Sequence, residues 1–171
     1  MAHQGRDHGV LSGRMVRLRP VAEDDLDLLA GWFGDPGFID HWGDTPLTRE
    51  QVAAKYIGRR RPEVESFIVL TGDAPIGYAQ YWHAGEFEGG IDLILEPHGR
   101  GRGYGPDAAD TLARHLLQQL HWTRVTADPV ATNARAIRAW EKAGFRRVGQ
   151  HGEALIMERQ RQWTSTDHFG M

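Results

Sequence analysis

A glycine-rich turn at residues 100–105 combines the residue types that bind a phosphate group. Glycine occupies four of the seven positions from 99 to 105, so backbone N–H groups can converge on an anion without clashes from side chains. Arg100 and Arg102 add positive charge, and the helix expected to follow adds the partial charge of its N-terminus. The turn is therefore predicted to bind a pyrophosphate; the alternative is an ordinary flexible loop.

Two common nucleotide-binding loops differ from this turn in their spacing. A Walker A loop requires Gly-Lys followed by Ser or Thr, which the turn does not contain. A Rossmann loop requires G-x-G-x-x-G, whereas Gly101, Gly103 and Gly105 give G-x-G-x-G. The turn therefore matches neither of these two motifs.

Asp92 is the first candidate for acid–base chemistry. It lies within the apolar segment 90–95, where desolvation should raise the pKa of its carboxyl above about 3.9. Such a carboxylate could accept a proton from an amine or hold the amine by charge. The alternative is a structural carboxylate paired with an arginine. Asp128, at the end of the next strand, could share the pocket or could be a turn residue before Pro129.

The charges of the chain divide between two parts. Residues 35–96 contain 11 acidic and 5 basic residues, whereas residues 97–147 contain 9 basic and 4 acidic ones. Solvated surface is one interpretation of such blocks; the other is a cationic ligand on the acidic part and an anionic ligand on the basic part. Aromatic residues concentrate in the acidic part, and core packing should claim most of them. Trp42, in a loop with glycine and aspartate, is predicted to form a wall for a cationic substrate.

The composition argues against several classes of protein. The chain has 171 residues, a net charge of −3 and no cysteine, which excludes disulfides, thiolate metal sites and a cysteine nucleophile. The nine histidines form no H-x-x-x-H or H-E-x-x-H pair, so no metal is predicted. The small net charge argues against general nucleic-acid binding. Because there is no run of 18 apolar residues and no secretory signal, we expect a cytoplasmic protein without a membrane span.

Hydrophobic periodicity and turn signals predict one α/β domain with a mixed sheet flanked by helices. The domain is expected at residues 15–161, between a flexible N-terminus at 1–14 and a C-terminal tail at 162–171. The predicted order is β-α-α-β-β-β-α-β-α-β-β. Strands are expected at 15–19, 66–70, 76–82, 90–95, 124–127, 145–150 and 154–159. Helices are expected at 24–33, 48–58 and 106–120, and a fourth between the cap Asn133 and the terminating Gly144.

Two motifs make the chain similar to the GCN5-related N-acetyltransferases. Arg100-x-x-Gly103-x-Gly105 resembles the pyrophosphate-binding signature of that family, and N-A-R-A-I-R-A-W-E-K-A-G-F at 133–145 resembles its later helix and turn. The resemblance implies a mostly antiparallel sheet, acetyl-CoA bound between two splayed strands, and direct transfer to an amine without an acyl-enzyme. The cofactor-binding residues that it implies are Leu93, Ile94, Leu95, Arg100, Gly101, Arg102, Gly103, Tyr104, Gly105, Asn133 and Trp140.

Shorter segments are similar to one subgroup of that family, the aminoglycoside 6′-N-acetyltransferases. They are P-I-G-Y-A-Q at 75–80, Trp42-Gly43, Gly90-Ile91-Asp92 and Asp128-Pro129. This resemblance implies a small cationic amine as the acceptor, with binding residues Trp42, Gln80, Asp92 and Asp128. An amine must be neutral to attack a thioester, so Asp92 is expected to take or relay its proton.

Trp140 departs from the family pattern, which commonly has a tyrosine at this position to protonate the leaving thiolate. An indole N–H does not act as an acid near neutral pH. Tyr104 and water are the alternative proton donors, and core packing on the Ile137 face is the favoured role of Trp140.

Two further functions stay open from the sequence. One is acetylation of a protein N-terminus or of another small amine, and the other is a CoA-binding regulatory module without catalysis. The absence of a tyrosine at Trp140 is compatible with a non-catalytic regulatory module, whereas the presence of Asp92 argues against that function. The acidic and aromatic character of the chain before Glu96 favours a small polycation over a peptide. A monomer and a homodimer are equally compatible with the sequence.

Overall fold

The computed structural model describes residues 9–43 and 45–162. These residues form eight strands, four α-helices, two short 3-10 turns and one π-helical turn that continues the third helix. The strands are β1 (Leu11–Ser12), β2 (Arg17–Pro20), β3 (Val64–Thr71), β4 (Ala74–His83), β5 (Glu88–Leu95), β6 (Arg124–Ala127), β7 (Arg146–His151) and β8 (Ala154–Gln160). The helices are α1 (Leu26–Phe33), α2 (Arg49–Tyr56), α3 (Tyr104–Arg114, then the π-helical turn His115–Gln119) and α4 (Ala134–Lys142).

The strands form one sheet in the order β1-β2-β3-β4-β5-β6-β8-β7. Neighbouring strands are antiparallel except for β5 and β6, which are parallel. This confirms the mixed, mostly antiparallel sheet that the sequence predicts. β5 is apolar along most of its length because helices cover both faces of the sheet at its centre.

Two apolar cores lie on opposite faces of the sheet. On one face α3 and α4 pack against strand residues such as Phe67, Ala79 and Ile91. On the other face α1 and α2 pack against Ile68, Tyr78 and Ile94. Because side chains alternate along a strand, Gln80 and Asp92 share the α1/α2 face with Tyr78 and Ile94.

The pairing between β5 and β6 ends early, and the strands then separate. Their register runs from Glu88 opposite Arg124 to Gly90 opposite Thr126. β5 continues to Leu95 along β4, whereas β6 ends at Ala127 and pairs on its other side with β8. The sheet therefore has an open gap beside the second half of β5.

The N-terminal part of the domain differs from the prediction. Leu11 and Ser12 form a strand inside the segment expected to be flexible, because they pair with Leu18 and Arg17 of β2. β2 includes Pro20, one residue beyond the strand expected at 15–19. Proline is tolerated there because the Val21 N–H donates to Ser66 of β3, so by alternation the imide nitrogen of Pro20 faces away from β3, beyond the end of β1.

The helix after the glycine-rich turn also differs from the prediction at its ends. α3 begins at Tyr104, two residues before the proline expected to start it, and its α-helical part ends at Arg114. The π-helical turn carries the chain on to Gln119. Asn133 caps α4 as predicted, by accepting from the Ala136 N–H. In the described part of the chain no helix has the length and apolar character needed to cross a membrane.

We predict opposite effects of alanine at two glycines. Gly31→Ala should raise the free energy of unfolding by about 0.5–1 kcal/mol, because Gly31 lies inside α1 with no atom close to the new methyl group. Gly89→Ala should lower it by more than about 2 kcal/mol, because the methyl group would overlap the Trp82 carbonyl oxygen and lie 2.9 Å from the Trp122 ring. Urea unfolding of both variants tests this; equal changes would contradict the close approach of β4 and β5 at Gly89.

Candidate active site

The edge of β5 beside the gap carries backbone groups without a strand partner. The Glu96 N–H donates to Ile76 of β4, so by alternation the backbone groups of Leu93 and Leu95 point away from β4 into the gap. An extended ligand could therefore add to β5 as a further strand does. Ile94, which the sequence predicts to bind the cofactor, instead directs its backbone groups toward β4 and its side chain into the α1/α2 core.

The glycine-rich turn leads from the end of β5 to the start of α3. Gly101 and Gly103 have φ values of 77° and 85°, which favour glycine because a side chain is strained there. Gly103 immediately precedes α3, and no side chain caps the helix. The N–H groups of the first turn are thus available to an anion, and the helix dipole favours one. The local geometry of the turn fits the phosphate-binding prediction.

The Arg100 side chain has a different role from the one expected. Its guanidinium donates to the Leu95 carbonyl at 3.1 Å and to the Phe38 carbonyl at 3.0 Å, so it ties the end of β5 to the loop after α1. Burial lowers the pKa of Arg100, and the nearby charge of Arg135 lowers it further. Positive charge for a phosphate is left to Arg102 and to Arg135, an exposed residue in the first turn of α4 that the sequence analysis missed.

Asp107 is a second residue that the sequence analysis missed. It lies in the first turn of α3, and its carboxylate accepts from the backbone N–H groups of Arg14, Met15 and Val16 at 2.8–3.1 Å. A Cβ atom built on Gly103 would lie 3.6 Å from the Met15 sulfur. Asp107 therefore fixes the segment before β2 against the glycine-rich turn, a contact between residues about 90 positions apart that no local motif signals.

Asp92 lies on the α1/α2 face, two residues beyond Gly90, the last residue of β5 that pairs with β6. Its Oδ2 accepts from Gln80 Nε2 at 2.9 Å. Burial raises the pKa of Asp92, while hydrogen bonds from Gln80 and Trp82 act in the opposite direction. None of the ion pairs between described residues involves Asp92, which favours the chemical role over a structural pairing with arginine.

Asp128, the residue directly after β6, occupies the position that matches Asp92. Since Gly90 is opposite Thr126 in a parallel register, Asp92 and Asp128 lie equally far beyond the point of separation and belong to the same face of the sheet. The negative charge of Asp128 raises the pKa of Asp92 further. Although Asp128 is at the surface, partial desolvation also raises its own pKa. The structure therefore brings together two carboxylates that share an affinity for a cation.

Aromatic rings pack together on the same face, around the residue that the sequence predicts as a wall for the substrate. Trp42 is half-buried, and its indole N–H donates to the Tyr56 hydroxyl at 3.2 Å. Its ring also packs edge-on against Tyr78, with centroids 6.2 Å apart. The charge of Asp92 raises the pKa of both tyrosines, although burial contributes more. The structure thus connects the predicted wall residue Trp42, through Tyr56 and Tyr78, to the surroundings of Asp92.

Two predicted cofactor residues, Asn133 and Trp140, have structural contacts in α4. The Asn133 side chain caps the helix. The Trp140 ring is buried in the α3/α4 core, edge-on to Phe145 with centroids 5.0 Å apart, in agreement with the favoured packing role. Tyr104 lies at the first position of α3 and is half-buried. Among the described residues no group of three or more histidine, aspartate or glutamate side chains is arranged to hold a metal ion.

The arrangement suits a reaction between an anionic donor and a cationic acceptor. The glycine-rich turn can hold phosphates at one end of β5. The gap side of β5 can align an extended chain by backbone hydrogen bonds, and Asp92 lies on the same strand, close enough to Tyr56 and Tyr78 for its charge to affect them. A carboxylate of raised pKa next to a bound amine can take its proton.

A family model and the sequences of known proteins assign the chain to the same family. The model of the acetyltransferase (GNAT) domain matches residues 15–146. The aminoglycoside N(6′)-acetyltransferase type 1 of Klebsiella pneumoniae is 31% identical over 172 residues, covering 88% of this chain and 86% of that protein.

Solved structures of aminoglycoside acetyltransferase AAC(6′)-Ib are also similar. Its complex with coenzyme A and kanamycin superposes with a TM-score of 0.77 at 30% identity, covering 86% of this chain and 95% of that one. Its complex with paromomycin and acetyl-CoA gives a TM-score of 0.79 at 29% identity, covering 92% and 98%.

We predict that Asp128→Asn lowers the pKa of Asp92. A neighbouring negative charge disfavours the ionised carboxylate, so removing it favours ionisation and moves the titration to lower pH. Titration of the aspartate carboxyl carbons by NMR measures the change. Asp73→Asn, in the exposed β3–β4 turn, is the control and should leave Asp92 unaffected. An unchanged Asp92 in the Asp128 variant would show that the two carboxylates do not interact.

Proposed function

Because the chain belongs to the GNAT acetyltransferase family, we propose that it transfers the acetyl group of acetyl-CoA to the 6′-amino group of an aminoglycoside. The observation that carries this proposal is the juxtaposition of Asp92, Gln80 and Asp128 beside the point where β5 and β6 separate. It is supported by the relatives, which are named for 6′-acetylation of aminoglycosides and whose structures hold coenzyme A and aminoglycosides.

The donor is expected along the gap side of β5. Its pyrophosphate would bind the N–H groups at the start of α3, where Arg102 and Arg135 supply charge. Its pantetheine amides would pair with the free backbone groups of Leu93, as a strand added to the sheet. In this proposal the thioester would lie near Asp92, because Leu93 is the neighbour of Asp92 on β5.

The acceptor is expected on the α1/α2 face. Aminoglycosides carry several ammonium groups, which the carboxylates of Asp92 and Asp128 attract. These groups also make cation–π contacts with aromatic rings such as that of Trp42. Asp92 accepts a proton from the 6′-ammonium group, and the neutral amine then attacks the thioester carbon. A backbone N–H on the gap side of β5 can stabilise the resulting oxyanion. As the C–S bond breaks, the attacking nitrogen releases its second proton to water, and the thiolate takes a proton from Tyr104 or from water, since the buried Trp140 is not an acid.

The proposed function predicts release of CoA thiol only with acceptors that carry a 6′-amine. The most informative comparison is between an aminoglycoside with a 6′-amine and its matched analogue with a 6′-hydroxyl. A polyamine and a neutral peptide with a free N-terminus are tested as further acceptors.

The proposed role of Asp92 predicts that Asp92→Asn lowers kcat/KM on the order of 10²–10⁴-fold. Its Tm should hold or rise, because the substitution removes a desolvated charge. Near-normal turnover by the variant would contradict the role of Asp92. Faster turnover of the peptide than of the aminoglycoside by the wild type would contradict the proposed substrate.

We predict that Gly103→Val weakens CoA binding by at least about tenfold, because strain at a positive φ of 85° displaces the N–H groups at the start of α3. Gly152→Val is the matched control. It introduces the same kind of strain at φ 58° in the β7–β8 turn, where no atom lies within 4 Å of a new Cβ. Isothermal calorimetry with CoA and thermal melting of both variants separate the effects. Equal CoA affinity in the two variants would exclude the turn as the phosphate site.

A further inference from the structure

A chain of hydrogen bonds crosses three strands and ends on Asp92. Ser66 of β3, Gln80 of β4 and Asp92 of β5 lie opposite one another in the sheet. The Tyr78 hydroxyl, two residues before Gln80, completes the chain. Ser66 Oγ lies 2.7 Å from the Tyr78 hydroxyl, the hydroxyl lies 2.7 Å from Gln80 Oε1, and Gln80 Nε2 lies 2.9 Å from Asp92 Oδ2.

The chemistry of the groups fixes the direction of this chain. An ionised carboxylate only accepts hydrogen bonds, so Gln80 must present its NH₂ group to Asp92 and its carbonyl oxygen to Tyr78. The single proton of the Tyr78 hydroxyl is then donated to Gln80, and Ser66 must donate to Tyr78. Every donor in the chain points toward Asp92.

The chain is held within the protein rather than by solvent. Ser66 and Tyr78 are almost completely buried, and Gln80 is 8% exposed. The rings of Phe33, Trp42 and Tyr56 surround the Tyr78 ring edge-on at centroid distances of 5.2–6.2 Å. The Tyr78 hydroxyl therefore has a fixed position, and with it the amide of Gln80.

We propose that Tyr78 is a positioning residue for the acetyl transfer. Its hydroxyl holds the Gln80 amide in the orientation that donates to Asp92, and it thereby keeps the carboxylate ionised and oriented toward the acceptor amine. Ser66 supports Tyr78 in the same way. The inference rests on the proposed function for its kinetic consequences, whereas the effect on the titration of Asp92 does not depend on any substrate.

Several groups face Asp92 and set the background for its titration. They are Gln80, Trp82 and Tyr78 of β4, Tyr56 of α2, and Asp128 after β6. The charge of Arg60, in the turn after α2, acts on both tyrosines. Loss of the Tyr78 hydroxyl leaves the charges of Asp128 and Arg60 in place and removes the hydrogen-bond partner of both Ser66 and the Gln80 amide. A rotated amide would present its oxygen to Asp92, which disfavours the ionised carboxylate and raises its pKa.

The kinetic test compares Tyr78→Phe with Tyr81→Phe. Tyr81 is a buried tyrosine on the same strand whose ring lies in the opposite core, so its variant is matched in chemistry and burial. Tyr78→Phe should lower kcat about ten- to a hundredfold, move the acidic limb of the pH profile to higher pH, and leave the KM for acetyl-CoA unchanged. Tyr81→Phe should change none of the three. Equal losses in both variants, or an unmoved acidic limb in Tyr78→Phe, would overturn the proposal.

An NMR titration of the aspartate carboxyl carbons tests the same inference without substrate. The pKa of Asp92 should be higher in Tyr78→Phe than in the wild type and unchanged in Tyr81→Phe. Ser66→Ala should raise it less, and the double variant should match Tyr78→Phe alone, because Ser66 reaches Gln80 only through Tyr78. An unaltered Asp92 in Tyr78→Phe, or additive effects in the double variant, would overturn the proposal. If the wild type acetylates no aminoglycoside, the proposed function fails while this titration still decides the role of Tyr78.

Discussion

The separation of β5 from β6 after Gly90 and Thr126 is the constraint on which the site depends. Up to that point the parallel pairing satisfies the backbone of both strands. Beyond it, β5 remains in the sheet through β4, so its other edge is held rigidly in place with groups such as those of Leu93 unpaired. A strand edge inside a protein is normally paired or covered, and here the gap provides a place for an extended ligand. The register of the paired part also places Asp92 and Asp128 opposite each other across the gap.

Two charged side chains fix the elements around the end of β5. Arg100 ties the end of β5 to the loop after α1, and Asp107 ties the start of α3 to the segment before β2. In both contacts a charged side chain forms hydrogen bonds with backbone groups. The free-energy cost of these contacts is lower than the cost of leaving the backbone groups without a hydrogen-bond partner. The turn predicted to bind phosphate and the carboxylate predicted to bind the amine are therefore both connected to β5. Asp92 and Asp128 have no cationic partner among the described ion pairs, which supports the cationic acceptor proposed above.

Local signals in the sequence determined the element types and most of the turns. The apolar run at 90–95 predicted a central strand, the Asn133 cap and Gly144 bounded α4, and the glycine-rich turn predicted an anion site between a strand and a helix. These features depend on residues close together in the chain, where propensity, capping and backbone freedom act. The type of Asp92 and its apolar neighbours also predicted a raised pKa, which the structure confirms.

Tertiary structure alone decided which groups meet. Arg100 has the residue type of a phosphate ligand, yet burial and two carbonyl acceptors 5 and 62 positions away give it a bracing role. The strand at Leu11 needs β2 as its partner, and Ile94 faces β4 rather than the gap because of the sheet register. The hydrogen-bond chain from Ser66 to Asp92 joins three strands through Tyr78, to which the sequence analysis assigns no role. Periodicity specifies the face of a strand on which a side chain lies; only the pairing of strands distant in the sequence specifies its neighbours.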